Sequence, residues 1–323
     1  MTEALLALVL GIVLLAVSAD RFVAGAAVTA NVLGIPPLLV GMLVIGFGSS
    51  MPEFVVSVIA ATEGNAGLAL GNAFGSNISN VALILGITAL ITPITVKSTV
   101  LTTELPILIF ITMICTVLLS VDGVLGRGDG WTLIVIFIFV MGWSIYIGMG
   151  TKQDELGTEV EHALKDRLSL PMAVTFMIGG LIFLVISSRL LVWGGVSVAH
   201  LLGISDVIIG LTIIAIGTSL PELASSIAAV RHNEHDLAIG NVIGSNMFNT
   251  TIVIGTAGAI SPTTIEPAMI TRDIPIMIGF TFLLFVSCYS LGSSTPRITR
   301  GEAVALLICY LGYNTLLFSQ MFR

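Results

Sequence analysis

Ten apolar runs, each about as long as the 20 residues a helix needs to cross a hydrocarbon layer, leave this chain almost nothing to fold into except a bundle of membrane helices. They fall at residues 3–30, 37–61, 68–91, 103–121, 131–150, 171–200, 206–230, 237–260, 273–292 and 302–320. Of 323 residues, 56% are apolar and 10% charged, with a mean hydropathy of +1.08. A soluble domain would carry about 25% charged residues. The net charge of −7 brings no basic patch of the kind a nucleic acid needs. Cys115, Cys288 and Cys309 sit inside apolar runs, so they read as packing residues and not as a disulfide or zinc set. Residues 4–19 imitate a signal peptide, but Met1-Thr2-Glu3 offers no positive leader, and the segment reads as a helix that stays.

The one sizeable hydrophilic stretch, 151–168, divides the runs five and five. The expected organisation is a first repeat over 1–150, a short cytoplasmic linker over 151–170 and a second repeat over 171–323. Adding 169 to a position in the first half lands on its partner in the second. Gly48, Ser50, Pro52 and Glu53 meet Gly217, Ser219, Pro221 and Glu222; Gly75-Ser76-Asn77 meets Gly244-Ser245-Asn246; Asn80 meets Asn249. Across 34–86 there are 19 identities in 53 positions, most of them Gly, Ser, Asn, Pro and Glu, which apolar bias does not explain. A unit with an odd number of spans leaves the membrane opposite to its entry, so the second copy is expected inverted. Inverted repeats with broken helices near the midplane form a transporter architecture. Counting Lys and Arg in the loops gives seven on the inner side against three outside when both termini are extracellular.

The chemistry lies in GFGSSMPEF, residues 46–54, and its copy AIGTSLPEL, residues 215–223. A carboxylate within a membrane span is costly and marks a functional site by default. Glu53 has no basic residue in its own span or the next, and Glu222 repeats the pattern, so the expected counter-charge is a cation that comes and goes. Helical spacing puts Gly46, Ser49 and Ser50 on the face of Glu53. Pro52 and Pro221 free the carbonyls of Gly48 and Gly217, one turn back. Carboxylate, hydroxyl and carbonyl are hard oxygen donors, suited to Na⁺ or Ca²⁺. In the following span Asn72, Ser76 and Asn80 form one stripe, repeated by Asn241, Ser245 and Asn249; Gly71, Gly75, Gly240 and Gly244 are small-residue surfaces for close helix approach. Glu104 and Asp273, ahead of prolines at span starts, read as helix caps. The run Arg231 to Asp236 reads as a solvated turn.

At these residues the sequence resembles the cation/Ca²⁺ antiporter superfamily, especially the prokaryotic Na⁺/Ca²⁺ exchangers. GSSMPE and GTSLPE are similar to its two repeat signatures, and GSNISN and GSNMFN to the partner segments. The resemblance implies an all-α membrane protein of ten transmembrane helices in two inverted five-helix repeats, with ions near the midplane. It implies Glu53 and Glu222 as shared ligands, oxygens from Ser49, Ser50, Thr218, Ser219, Ser76 and Ser245, backbone carbonyls from Gly46 and Ala215, and Asn80 and Asn249 completing the ring. Transported Ca²⁺ and Na⁺ are the partners, with the lipid bilayer of the cell membrane. No cofactor, no nucleic acid, no enzymatic activity and a monomer are expected. The family typically exchanges three Na⁺ for one Ca²⁺. Many members carry Asp at one of the positions of Asn80 and Asn249; Asn at both leaves two formal charges, and Asn249 argues for K⁺ independence.

The expected mechanism is alternating access by ion competition, with the first span and its copy, including Gly25 and Gly194, as the sliding element. An H⁺/Ca²⁺ antiporter is the alternative; an intramembrane carboxylate-dyad enzyme or a cation channel fits less well.

Overall fold

A computed structural model describes residues 2–150, 169–202, 215–289 and 296–321. The expected linker therefore lies almost wholly outside the described residues, as does 203–214, the copy of 34–45. The described chain is mostly helical. Its elements are α1 (Thr2–Leu33), α2 (Pro37–Ser49), α3 (Met51–Thr62), α4 (Ala66–Ile91), α5 (Val100–Ser120), α6 (Arg127–Gly150), α7 (Leu170–Leu201), α8 (Ala215–Thr218), α9 (Leu220–Arg231), α10 (His235–Ile260), α11 (Met269–Cys288) and α12 (Arg300–Met321). Four two-residue strands accompany them: β1 (Ile94–Thr95), β2 (Val124–Leu125), β3 (Thr263–Thr264) and β4 (Arg297–Ile298). Among the described residues, seven helices are long and apolar enough to cross a membrane, and α2 with α3 forms a broken eighth.

The sequence repeat reappears as a repeat of structure. A wide π-type turn over Asn80–Ile84 in α4 returns over Asn249–Val253 in α10, and one over Val100–Glu104 returns over Met269–Asp273, each 169 residues on. The left-handed turn after α3 uses Gly64 at φ 79°, and its counterpart after α9 uses Asn233 at φ 60°. Asn tolerates that region better than other side chains do. The Arg231 to Asp236 run is thus a turn with exposed residues at 231–233, as expected, and in it His232 Nε2 lies 2.8 Å from Asp20 of α1.

The described chain forms two compact units, Met1–Glu53 with Phe139–Gly244, and Phe54–Ile138 with Ser245–Arg323. In the first, α1 and α7 run antiparallel along much of their length. Without a hydrophobic driving force in lipid, such pairing relies on small residues that let backbones approach. α1 accordingly buries Ala4, Ala7, Gly11, Ala19 and Ala26 and exposes Leu5, Leu6, Val9, Leu10 and Ile12. A Cβ on Gly180 would lie 2.6 Å from the Phe22 nitrogen, and one on Gly194 3.0 Å from the Ala4 carbonyl. α2 and α10 touch in the same way at Gly41 and Gly240. Gly240 and Gly244 thus play their expected packing role. Gly71 has only the Met269 methyl within 4 Å and Gly75 nothing among the described residues; the stretch matched to α2 lies outside them.

In the second unit, β1 pairs with β4 and β2 with β3, both antiparallel. These clips join the loop after α4 to the segment before α12, and the loop after α5 to the segment after α10. Arg300 Nε donates to the Leu90 carbonyl at 3.1 Å and Nη2 to Ile91 at 3.3 Å, supplying cation and donor to the last turn of α4. Glu104 and Asp273 do not act as caps: each lies inside its helix, α5 or α11, at the end of the π-type turn, and neither side chain makes a capping bond. Arg272 instead grips Asp273 through two contacts of 2.8 Å, and the Tyr313 hydroxyl donates to it at 3.2 Å.

Candidate functional site: paired acids in broken helices

Both PE segments break their helix at the serine two residues before the proline. Ser50 (φ −81°, ψ 7°) separates α2 from α3, and Ser219 (φ −87°, ψ 1°) separates α8 from α9. Proline explains the position. It is favoured in the first turn of a helix, where its missing N–H has no intrahelical partner anyway. Pro52 and Pro221 therefore begin new helices and do not merely kink old ones. The consequence is electrostatic. Glu53 and Glu222 come to lie in the first turn of α3 and α9, where free amides and the helix dipole favour negative charge. Glu53 and Glu222 are 1% and 2% exposed.

Within the first unit, each acid is served by hydroxyls from the other half of the sequence. Ser50 Oγ donates to Glu222 Oε1 at 2.8 Å. Thr218 lies beside Glu53. Ser49 Oγ donates to Asn241 Oδ1 at 3.2 Å, and Asn241 Nδ2 donates to the Glu222 carbonyl at 3.0 Å and to Ser226 Oγ at 2.8 Å. Ser219 is buried beside them in sequence. The Gly46 carbonyl accepts from the Ser50 amide at 3.2 Å and from Ser49 Oγ at 3.4 Å. Ala215 opens α8. The Gly217 carbonyl differs from expectation. Freed by Pro221, it accepts from Ser188 Oγ of α7 at 2.7 Å, so it anchors the expected sliding helix. Position 19, the counterpart of 188, is alanine, so the first half carries no hydroxyl at that position. Ser188→Ala leaves that buried carbonyl short of a donor and is expected to cost about 1 kcal/mol or more, read as a lowered thermal midpoint in detergent.

The second unit holds the other predicted donors. Ser76 and Asn80 on α4, and Ser245 and Asn249 on α10, are all buried. Asn80 Nδ2 donates to Asn246 Oδ1 at 2.9 Å. Asn72 is only half-buried and bonds Ser57 at 3.0 Å, so the first stripe is buried at Ser76 and Asn80 but not at Asn72, whereas Asn241, Ser245 and Asn249 are all buried. Asn77, Asn246 and Thr250 take the place of Asn72 in the buried polar set, with Asn77 Nδ2 donating to Thr250 Oγ1 at 2.8 Å. The four-residue spacing misses them; the register of the repeat, in which Asn77 meets Asn246, is the signal that finds that pair.

No group of three or more His, Cys, Asp or Glu side chains is gathered among the described residues. Within the first unit, two carboxylates among hydroxyls, the Asn241 carboxamide and the Gly46 carbonyl make a hard, oxygen-only donor set, suited to alkali and alkaline-earth cations and poorly to zinc or copper.

Known proteins agree with that chemistry. The family described as sodium/calcium exchanger protein matches residues 3–146 and 172–319. CaxA of Alkalimonas amylolytica, which carries an antiporter name, is 42% identical over 321 residues, covering 99% of this chain and all of its own. The sodium/calcium exchanger MaX1 of Methanosarcina acetivorans is 27% identical, with 97% of this chain and 98% of that one covered. A structure of the sodium-calcium exchanger NCX_Mj, soaked with zero Na⁺ and Ca²⁺, superposes with a TM-score of 0.84 at 27% identity, covering 98% of this chain and 99% of the other. A family match over nearly the whole length, on a chain whose two buried acids sit in repeated PE segments, has one reading: the chain belongs to the sodium/calcium exchanger protein family.

Proposed function

We propose that the chain exchanges Na⁺ for Ca²⁺ across the cell membrane by alternating access, independently of K⁺ and with net movement of charge. The observation that carries this reading is the pair Glu53 and Glu222, buried in the first turns of two broken helices, each beside a hydroxyl from the other half. Ca²⁺ carries the two charges that these acids can balance. Two Na⁺ carry the same, and a third would leave the loaded carrier positive. Ions that need the same carboxylates cannot load together, which couples the two fluxes. The proposed ligands are Glu53, Glu222, Ser49, Ser50, Thr218, Ser219, Ser76, Ser245, Asn80 and Asn249, with carbonyls from Gly46 and Ala215. The proposed topology is ten spans in two inverted repeats with both termini outside, acting as a monomer. No step calls for a cofactor or a covalent reaction, and the activity is transport and not enzymatic turnover.

The test is radiolabelled Ca²⁺ uptake into proteoliposomes under an imposed gradient of Na⁺, K⁺ or H⁺. The Na⁺ gradient is expected to drive uptake, added K⁺ to leave it unchanged, and a membrane potential to alter its rate. Uptake driven equally well by a pH gradient in Na⁺-free buffer would replace this reading with H⁺/Ca²⁺ antiport.

A further inference from the structure

The asparagines of α4 and α10 break the symmetry that the sequence gives them. Asn80 and Asn246 are joined, amide to carbonyl, at 2.9 Å. The repeat would pair Asn249 with Asn77 in the same way, since 80 maps to 249 and 77 to 246. That bond is absent. Asn77 has turned its amide to Thr250 Oγ1 at 2.8 Å, with the Met277 sulfur at 3.5 Å, and its Oδ1 has no partner among the described residues. Asn249 is fully buried, and neither its Oδ1 nor its Nδ2 has a partner there either. The cause is visible one residue on. Thr250 corresponds to Val81, which has no hydroxyl to offer. Thr250 is itself fully buried and adds a polar group that only the second half possesses.

A buried carboxamide that forgoes both its bonds is costly, and such a group in a native structure asks for a ligand. We propose that Thr250 is a positioning residue for the cation site: by holding the Asn77 amide, it keeps Asn249 from closing the second asparagine pair, and so leaves the Asn249 carboxamide oxygen free to ligate Ca²⁺ or Na⁺. The inference rests on the exchange reading above and on Asn249 as a ligand. Thr250 touches no ion; it acts through Asn77. The asymmetry assigns the two asparagines different work. Asn80 is tied to Asn246 through its amide, which orients its oxygen, whereas Asn249 is left unrestrained until an ion arrives.

The experiment measures Na⁺-driven Ca²⁺ uptake in proteoliposomes. Thr250→Val, nearly isosteric and matching Val81, is expected to raise the KM for Ca²⁺ by about fivefold or more while changing maximal flux less than about twofold. Thr250→Ser restores the acceptor and is expected to behave as the parent chain. Asn77→Ala added to Thr250→Val removes the competing amide group and is expected to bring KM back towards the parent value. An unchanged KM in Thr250→Val, or a double variant no better than the single one, overturns the positioning role. Asn249→Ala separates the two levels of inference. If it raises KM while Thr250→Val is silent, only the role of Thr250 falls. If Asn249→Ala leaves KM unaltered, Asn249 is no ligand, and both the ligand assignment and the role of Thr250 fall.

Discussion

Glu53→Gln, and separately Glu222→Gln, should reduce Na⁺-driven Ca²⁺ uptake to the level of empty liposomes. Glutamine keeps the size of the side chain and an oxygen that can accept as Glu222 accepts from Ser50, so the local fold has little reason to change. What it removes is one of the two charges of a buried pair. At 4 Å and an effective dielectric of 20, a pair of unit charges is worth about 4 kcal/mol, and a divalent ion doubles that. Even half of the unit-charge figure weakens binding by more than tenfold, and the whole of it by about a thousandfold. Na⁺ should suffer less per ion than Ca²⁺, so Na⁺ competition would persist after Ca²⁺ flux is lost. Uptake at parent rates by either variant, in protein that remains monodisperse, would remove the acids from the site.

Much of this arrangement was legible in the sequence because it depends on local or repeated features. Apolar run length picked out the seven helices that, among the described residues, are long and apolar enough to cross a membrane, and the 169-residue register gave the matched pairs Glu53 and Glu222, Asn80 and Asn249. The matched π-type turns at Asn80 and Asn249, by contrast, have no signature in residue type. Nor could periodicity say which serine serves which acid. The bond from Ser50 to Glu222 spans 172 residues, and only the folded chain decides that it crosses between halves. The polar stripe was drawn too narrowly for a related reason. A four-residue rule assumes one buried face, whereas 94% of the most apolar window of α10 is buried, so Asn246 and Thr250 are as enclosed as Ser245 and Asn249. From the sequence, each proline frees a carbonyl one turn back. Its larger effect was to start a helix under the acid, and the freed carbonyl of Gly217 went to Ser188.

Replacing Gly244 is expected to disable the protein as thoroughly as removing an acid, though by a different route. A Cβ there would lie 2.6 Å from the Met42 Cα and 2.8 Å from its carbonyl carbon, distances that real side chains do not show. Backbone cannot rotate aside as a long side chain can, so α10 and α2 must separate. One turn along, a Cβ on Gly240 would lie 2.6 Å from the Leu38 carbonyl oxygen, so the two helices touch over a full turn with no slack. The same α2 carries Ser49, bonded to Asn241 at 3.2 Å, and ends at Ser50, bonded to Glu222 at 2.8 Å. Parting the helices by even half an ångström carries the 3.2 Å bond from Ser49 to Asn241 beyond useful range and shifts Ser50, the next residue, against Glu222. Overpacking of this kind costs about 1–3 kcal/mol where neighbours can yield and more where they cannot. Gly244→Ala should therefore already lower the thermal midpoint in detergent and raise the KM for Ca²⁺, and Gly244→Val should leave little folded protein. A Ca²⁺-dependent gain in thermal stability, present in the parent chain, should shrink in Gly244→Ala along with the flux, because the contact that packs the helices also sets the hydroxyls against the acid. If Gly244→Ala matched the parent in midpoint and in KM, the close approach of α2 and α10 could not be what holds Ser49 and Ser50 in place.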